Sequence, residues 1–324
     1  MTTPFITNLK KHYPKAQIDY CCYKNNANLL EDDKRINKII KRKENSLISL
    51  DFLNTIRIIK NNKYDLCINL YHAQHSAFLT ILSNARYKMG NIYNTSCTTN
   101  NLAVNDSQKT RDVRLNAKHI AEQLGISNYD ETVLSIKIKE EHKKEIFQIF
   151  KKLGIKKQVI GINANAAWIA KTWPKEHWIS LINKISKQYK KYNIIMFGGP
   201  EDKKVSDEIF ANINNKKHIF NLAGKLSLKQ TAAALQNISV FITGDTGPTH
   251  IAITVKTKTI ALFGVTDPKR IIGRAKYVHV LSKYESCPDI WKYNHNNEPP
   301  KEAQEQIAKI TPDVVMEKLK EILK

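Results

Sequence analysis

The sequence has no run near the roughly 18 apolar residues that a bilayer-crossing helix needs, so no membrane-spanning segment is expected in its 324 residues. Its start, MTTPFITNLKKHYPKAQ, has no basic stretch followed by an apolar one, so no secretory signal is expected. Arginine is scarce: 8 against 44 lysines. Recognition of guanine or phosphate by bidentate contacts favours arginine. The formal charge of +22 therefore reads first as a lysine-coated surface, or as attraction to an anionic substrate or membrane, with no nucleic-acid partner. The five cysteines form no CxxC pair and cannot all pair in disulfides, which points to reduced thiols and a cytoplasmic protein. GxGxxG, Walker A, HExxH, zinc-ligand spacing and a D-x-D pair are all missing. The expectation is no metal and no cofactor.

What is present is a strand–helix alternation, and 42% apolar residues suffice for folded cores. In the first half, a helix opens at Thr2-Thr3-Pro4 and stops at Pro14. Strand Ile18–Tyr23, helix Ser49–Lys60, strand Tyr64–Tyr71, helix Ala73–Ser83, a strand near Arg86–Met89 and helix Arg111–Leu124 follow. Polar Asn91–Thr110 reads as a loop. Charged helix Glu140–Leu153 closes at Gly154, and apolar VIGIN begins at Val159, so the expected domains are 1–154 and 155–324. The second half predicts strands at Val159–Asn163, Asn193–Phe197, Ile219–Asn221, Val240–Thr243 and Thr259–Phe263, with helices between them. An amphipathic helix, Thr311–Leu323, ends the chain's pattern. The class is α/β, with parallel sheets.

Three motifs sit at predicted strand ends. In SVFITGDTGPTHIAI, a strand runs into Gly244-Asp245-Thr246-Gly247 and a helix starts at Pro248. Free N–H groups there suit an anion, Gly244 and Gly247 let a ligand approach the backbone, and His250 in the first turn suits a phosphate or sugar hydroxyl. In NANAAWIAKTWPKEHW, Lys171 lies in the loop after another strand. In MFGGPEDKK, Glu201 and Asp202 begin a helix and suit either capping or ribose hydroxyls.

In their order and spacing, these motifs, together with GVTDP at 264–268, resemble glycosyltransferase family 9, the heptosyltransferases of lipopolysaccharide core assembly. The resemblance implies a GT-B fold, two Rossmann-like domains with parallel sheets facing a central cleft. It implies an inverting transfer of heptose from a nucleotide-diphospho-sugar, ADP-heptose, to the lipid A/core oligosaccharide at the inner leaflet. Lys171 would neutralise the pyrophosphate, Thr246 and Gly247 would offer backbone N–H groups, and Asp245 and His250 would contact phosphate and sugar. Glu201 or Asp202 would take the nucleoside. Peripheral contact with the anionic inner membrane is expected.

The N-terminus departs from the family. Members carry a first strand and a loop ending in Gly-Asp just before a stretch like MTTPFITNLKKHYPKAQIDY, and that Asp is their general base. This chain is expected to lack both, about 10–20 residues of strand and turn, through a late start codon or a truncated gene. Loss of a central strand is expected to expose apolar edge and destabilise the first domain. The catalytic base is therefore unassigned; His72 and His75, after a strand end, are substitutes to test. Asn69 stands where members often have Asp. The alternatives are a remnant that binds nucleotide without transfer, and a transferase using another sugar donor.

Overall fold

The computed structural model describes residues 2–43, 47, 49–71, 73–90, 113–132, 134–155, 158–272, 275–285 and 301–324. The chain divides into two compact units, Met1–Lys137 and Ile138–Lys324. The predicted loop Asn91–Thr110, His72, Cys97 and Cys287 lie outside the described residues.

In unit 1 the order is α1 (Thr3–His12), β1 (Asp19–Tyr23), α2 (Lys24–Ala27), β2 (Lys38–Arg42) and α3 (Leu50–Asn61). It continues with β3 (Leu66–Asn69), α4 (Gln74–Ile81), β4 (Tyr87–Gly90) and α5 (Val113–Gln123). Pro4 sits in the first turn of α1, where its missing N–H costs nothing. The Ser49 hydroxyl accepts from Phe52 N–H at 3.1 Å and caps α3. Phe5 of α1 packs with Met89, Ala117, Ile120, Ala121 and Ile126. A second cluster joins Ile40, Phe52, Ile59 and Leu79.

The strands of unit 1 form two separate parallel pairs, β1 with β2 and β3 with β4. Among the described residues, β1 and β3 are thus each paired along one edge, and both are only partly buried. A cavity of about 410 Å³ is lined by residues of both, including Cys21, Tyr23, Cys67 and Asn69. Side chains span it: Tyr64 OH donates to Asp19 Oδ2 at 2.7 Å, and Tyr23 OH lies 2.8 Å from His75 Nε2. Among the described residues, Cys21, Cys22 and Cys67 are free thiols. Burial pushes Cys21 up to about 12 and Cys22 to about 11, so both stay protonated and poorly nucleophilic near neutrality.

Unit 2 contains α6 (Glu140–Lys152), β5 (Gln158–Asn163), α7 (Lys175–Gln188), β6 (Tyr192–Phe197), α8 (Lys203–Ala211) and β7 (Ile219–Asn221). Then come α9 (Leu228–Leu235), β8 (Val240–Gly244), α10 (Gly247–Thr254), β9 (Thr259–Phe263) and α11 (Pro268–Ile272). The last elements are β10 (Val278–Ser282), α12 (Lys301–Ala308) and α13 (Pro312–Leu323). Six strands form one parallel sheet in the order β10-β9-β8-β5-β6-β7. Both faces of β5, β8 and β9 are covered, which is why they read as unbroken apolar runs rather than alternating ones. Trp173, Trp178, Leu181, Ile182 and Ile185 pack with Val315 and Leu319 of α13 in the main core.

The compact units part between Lys137 and Ile138, ahead of helix α6, whereas the sequence reading of 1–154 and 155–324 puts the edge after that helix. Helix α6 belongs with unit 2, where Ile146 is buried and Gln230 of α9 donates to Glu145 at 2.9 Å. Gly154, in the left-handed region at φ +68°, ends that helix, and a helix stop reads like a domain edge in sequence. Strands β2 and β10, and helices α2, α11 and α12, were not predicted. The β2 sequence KIIKR is basic at three of five positions, so its inward Ile40 carries little signal.

Gly264, between β9 and α11, is a packing requirement. A Cβ there would lie 2.7 Å from Ile307 Cβ and 2.8 Å from Ile307 N. Gly264→Ala is therefore expected to destabilise unit 2 by about 1–3 kcal/mol through overpacking, read as a lower urea midpoint. Gly247→Ala, whose Cβ would meet nothing within 4 Å, is expected to leave that midpoint nearly unchanged.

Candidate functional site

The sheet order of unit 2 locates the site. From β5 the chain moves outward through β6 to β7, then returns to the other side of β5 as β8, β9 and β10. The connections leaving the carboxyl ends of β5 and β8 diverge, and the crevice between them is where doubly wound sheets bind ligands. All three sequence motifs leave the carboxyl ends of the adjacent strands β8, β5 and β6.

The loop after β5 is anchored before it presents its lysine. Trp173 is buried at 2% exposure, stacks edge-on with Trp178 at 4.8 Å, and donates from Nε1 to Ile310 O at 2.8 Å. A single 3₁₀ turn, Ile169–Lys171, precedes it. Ala170 in that turn packs with Val265 and Ala303, so the loop is also held by the segment after β9 and by α12. Lys171 Nζ then lies 4.5 Å from the Trp168 ring centroid and 2.6 Å from Asp245 Oδ2. The two side chains are only 15% and 7% exposed, a buried ion pair.

Asp245 leaves β8 with its carboxylate turned to this lysine and to Thr266, whose hydroxyl donates to Oδ2 at 2.9 Å. The carboxylate thus orients the cation, and Thr266 orients the carboxylate. Thr246 is the N-cap of α10 with an extended backbone, and its side chain does not cap the helix. The Thr243, Thr246 and Thr249 hydroxyls lie 3.1–3.2 Å from one another, and Thr249 donates to Gly244 O at 2.5 Å. Below them, Asn163 Nδ2 donates to Asn165 O and Thr246 Oγ1. This hydroxyl network fixes the start of α10, whose macrodipole is positive there. Open space lies in front of Gly247. At Gly244, by contrast, a Cβ would lie 3.6 Å from Lys171 O. His250 is half-buried in the first turn of α10.

The third motif separates the two acids that the sequence left open. Asp202 Oδ2 accepts the Gly199 N–H at 2.7 Å and closes the turn. Burial raises its pKa, against the lowering effect of the Gly199 N–H, with Glu201 adding to the rise. Glu201 is exposed. Asn165, whose Nδ2 donates to Asp202 O at 3.0 Å, ties this turn to the β5 loop.

The sequence pointed to Lys171, Asp245, Thr246, Gly247 and His250, and the structure brings Lys171 against Asp245. It missed Thr266, Asn163 and Asn165. Their signal was polar side chains directly after buried strands. In unit 1, His75 is half-buried against Tyr23, and its pKa is lowered by burial and by Arg42. Asn69 accepts the Tyr71 N–H at 3.0 Å, a turn role. Among the described residues, no three His, Cys, Asp or Glu side chains are grouped to hold a metal ion.

Comparison with known proteins fits this geometry. The family model for glycosyltransferase family 9 (heptosyltransferase) matches residues 52–299. The chain is 30% identical to lipopolysaccharide heptosyltransferase 3 of Escherichia coli K12 over 281 residues, covering 82% of this chain and 79% of that one. A family 9 glycosyl transferase from Veillonella parvula superposes with a TM-score of 0.81 at 21% identity, covering 99% and 92% of the two chains. An Escherichia coli ADP-heptose lipopolysaccharide heptosyltransferase II gives 0.74 at 19% identity, covering 99% and 94%. The fold is GT-B.

The buried pair makes a stability prediction. Lys171→Met strands the Asp245 carboxylate, and such a break costs about 3–5 kcal/mol. Lys171→Met with Asp245→Asn is expected to be markedly more stable than Lys171→Met alone. Urea unfolding of the two variants and the parent measures this coupling; equal losses would mean that the two side chains do not interact.

Proposed function

The chain belongs to glycosyltransferase family 9 and is a glycosyltransferase, and we propose that it transfers heptose from ADP-heptose to the lipopolysaccharide inner core with inversion. The observation that carries this reading is the convergence of Lys171, Asp245 and the α10 start at the β5–β8 switch point. The lipopolysaccharide and ADP-heptose names of its relatives support the substrate class.

In this mechanism an acceptor hydroxyl attacks the anomeric carbon while the bond to the diphosphate oxygen breaks. Negative charge grows on the leaving diphosphate. In this reading Lys171 and the N–H groups at Thr246 and Gly247 meet that charge, which the Lys171–Asp245 contact beside the α10 start supports. Asp245 keeps the ammonium group aimed, and Thr266 keeps Asp245 aimed. Stabilisation by a lysine and a helix start makes no demand on a metal, and the reading includes neither metal nor cofactor. His250 contacts phosphate or sugar. Exposed Glu201 takes the ribose hydroxyls, while Asp202 serves the turn. The protein is read as cytoplasmic and peripheral on the anionic inner membrane; among the described residues no helix is long and apolar enough to cross it.

Calorimetric titration with ADP-, UDP- and GDP-sugars, paired with product formation on core acceptor, tests the reading. ADP-heptose is expected to bind tightest, and Lys171→Ala is expected to lower kcat/KM by about 10²-fold, the scale of losing one charge-stabilising group. Unchanged kinetics in Lys171→Ala and His250→Ala would remove the site. Binding without turnover would replace the transferase with a nucleotide-binding remnant. Glu201→Gln is expected to raise donor KM at nearly constant kcat, whereas Asp202→Asn should chiefly lower stability.

A further inference from the structure

Helix α3 of unit 1 carries exposed leucines on the side away from its buried face. Its inner face, Phe52, Thr55 and Ile59, is buried. The opposite face should be polar in a surface helix. Asn54, Arg57, Lys60 and Asn61 are exposed as expected, but Leu50 is 80% exposed and Leu53 58%, with Ile58 at their edge at 38%. Spacings of three and four place Leu50, Leu53 and Arg57 in one stripe. Lys60 continues it one turn on. Arg57 and Lys60 are exposed and make no ion pair among the described residues, so two cations lie directly beyond two protruding leucines. Asp51, the only acid in the helix, is turned to accept the Lys43 backbone N–H at 3.0 Å.

A soluble surface does not need two adjacent leucines this exposed. A protein partner of ordinary composition would not call for a stripe in which every charge is positive. Leucines to enter the acyl boundary and cations to meet headgroups fit one surface, an anionic bilayer. We propose that the Leu50–Leu53–Arg57–Lys60 face of α3 docks unit 1 on an anionic lipid surface. This deepens the peripheral-membrane part of the proposed function by naming the surface that makes the contact. The contact uses side chains whose removal leaves the buried face of α3 intact.

The test is co-sedimentation of the full chain with vesicles of phosphatidylcholine alone or with phosphatidylglycerol, without donor or acceptor, so that it succeeds or fails independently of heptose transfer. The parent protein is expected to partition onto the phosphatidylglycerol vesicles and to leave them as salt rises. L50S/L53S and R57Q/K60Q are each expected to lower that partitioning by about tenfold. K190Q/K191Q in unit 2, an equal charge change, is expected to lower it far less. Circular dichroism and urea midpoints near the parent's check that the variants fold. Parent-like binding by L50S/L53S, or equal losses in R57Q/K60Q and K190Q/K191Q, would overturn the proposal. So would absent vesicle binding with concentration-dependent self-association that L50S/L53S abolishes, which would assign the face to a second copy of the chain.

Discussion

The ion pair between Lys171 and Asp245 is the contact on which the site of unit 2 depends. It joins the loops after β5 and β8, 74 residues apart in sequence, at the place where their connections diverge. Burying two charges is costly unless each is held in good geometry. Here the carboxylate has a hydroxyl partner in Thr266 and the ammonium lies over the Trp168 ring. The pair is thus a poor device for stability and a good one for aim: a cation held by the loop that leads into a helix start.

The two units differ in how completely their strands are used. In unit 2 the central strands have neighbours on both edges and helices on both faces, giving a rigid floor under the site. In unit 1, β1 and β3 are each paired along one edge among the described residues, and the side-chain contacts of Tyr64 with Asp19 and Tyr23 with His75 lie at the 410 Å³ cavity. Unit 1 therefore depends more on side-chain bridges and less on backbone ladders. Local opening there is correspondingly easier.

Much of the fold was legible because burial on both faces writes apolar runs into sequence. VIGIN, IIMF and TIALF each became a strand at nearly the expected bounds. The signal failed where edge position or charge diluted it, as in KIIKR and in half-exposed β10. The site residues of the motifs were legible as types at strand ends. Their pairing was not, because which strand ends meet is set by sheet order, and no local pattern encodes the placement of β8 beside β5. The contact that Thr266 makes was not legible for the same reason: its partner is on another strand's loop. The roles of Glu201 and Asp202 were equivalent in sequence and separated only when Asp202 was found closing the Gly199 turn.

The small cluster of Ala170, Val265 and Ala303 has a wider meaning. It puts the turn that carries Lys171, the neighbour of Thr266, and helix α12 in one three-sided joint of two alanines and a valine. A larger side chain at any of the three buried positions would press on the turn that carries Lys171 or on the segment that carries Thr266. Positional tolerance in the C-terminal helices is thereby tied to the chemistry of the central crevice. A methyl group added or removed at this joint therefore reaches the Lys171–Asp245 pair without touching either side chain.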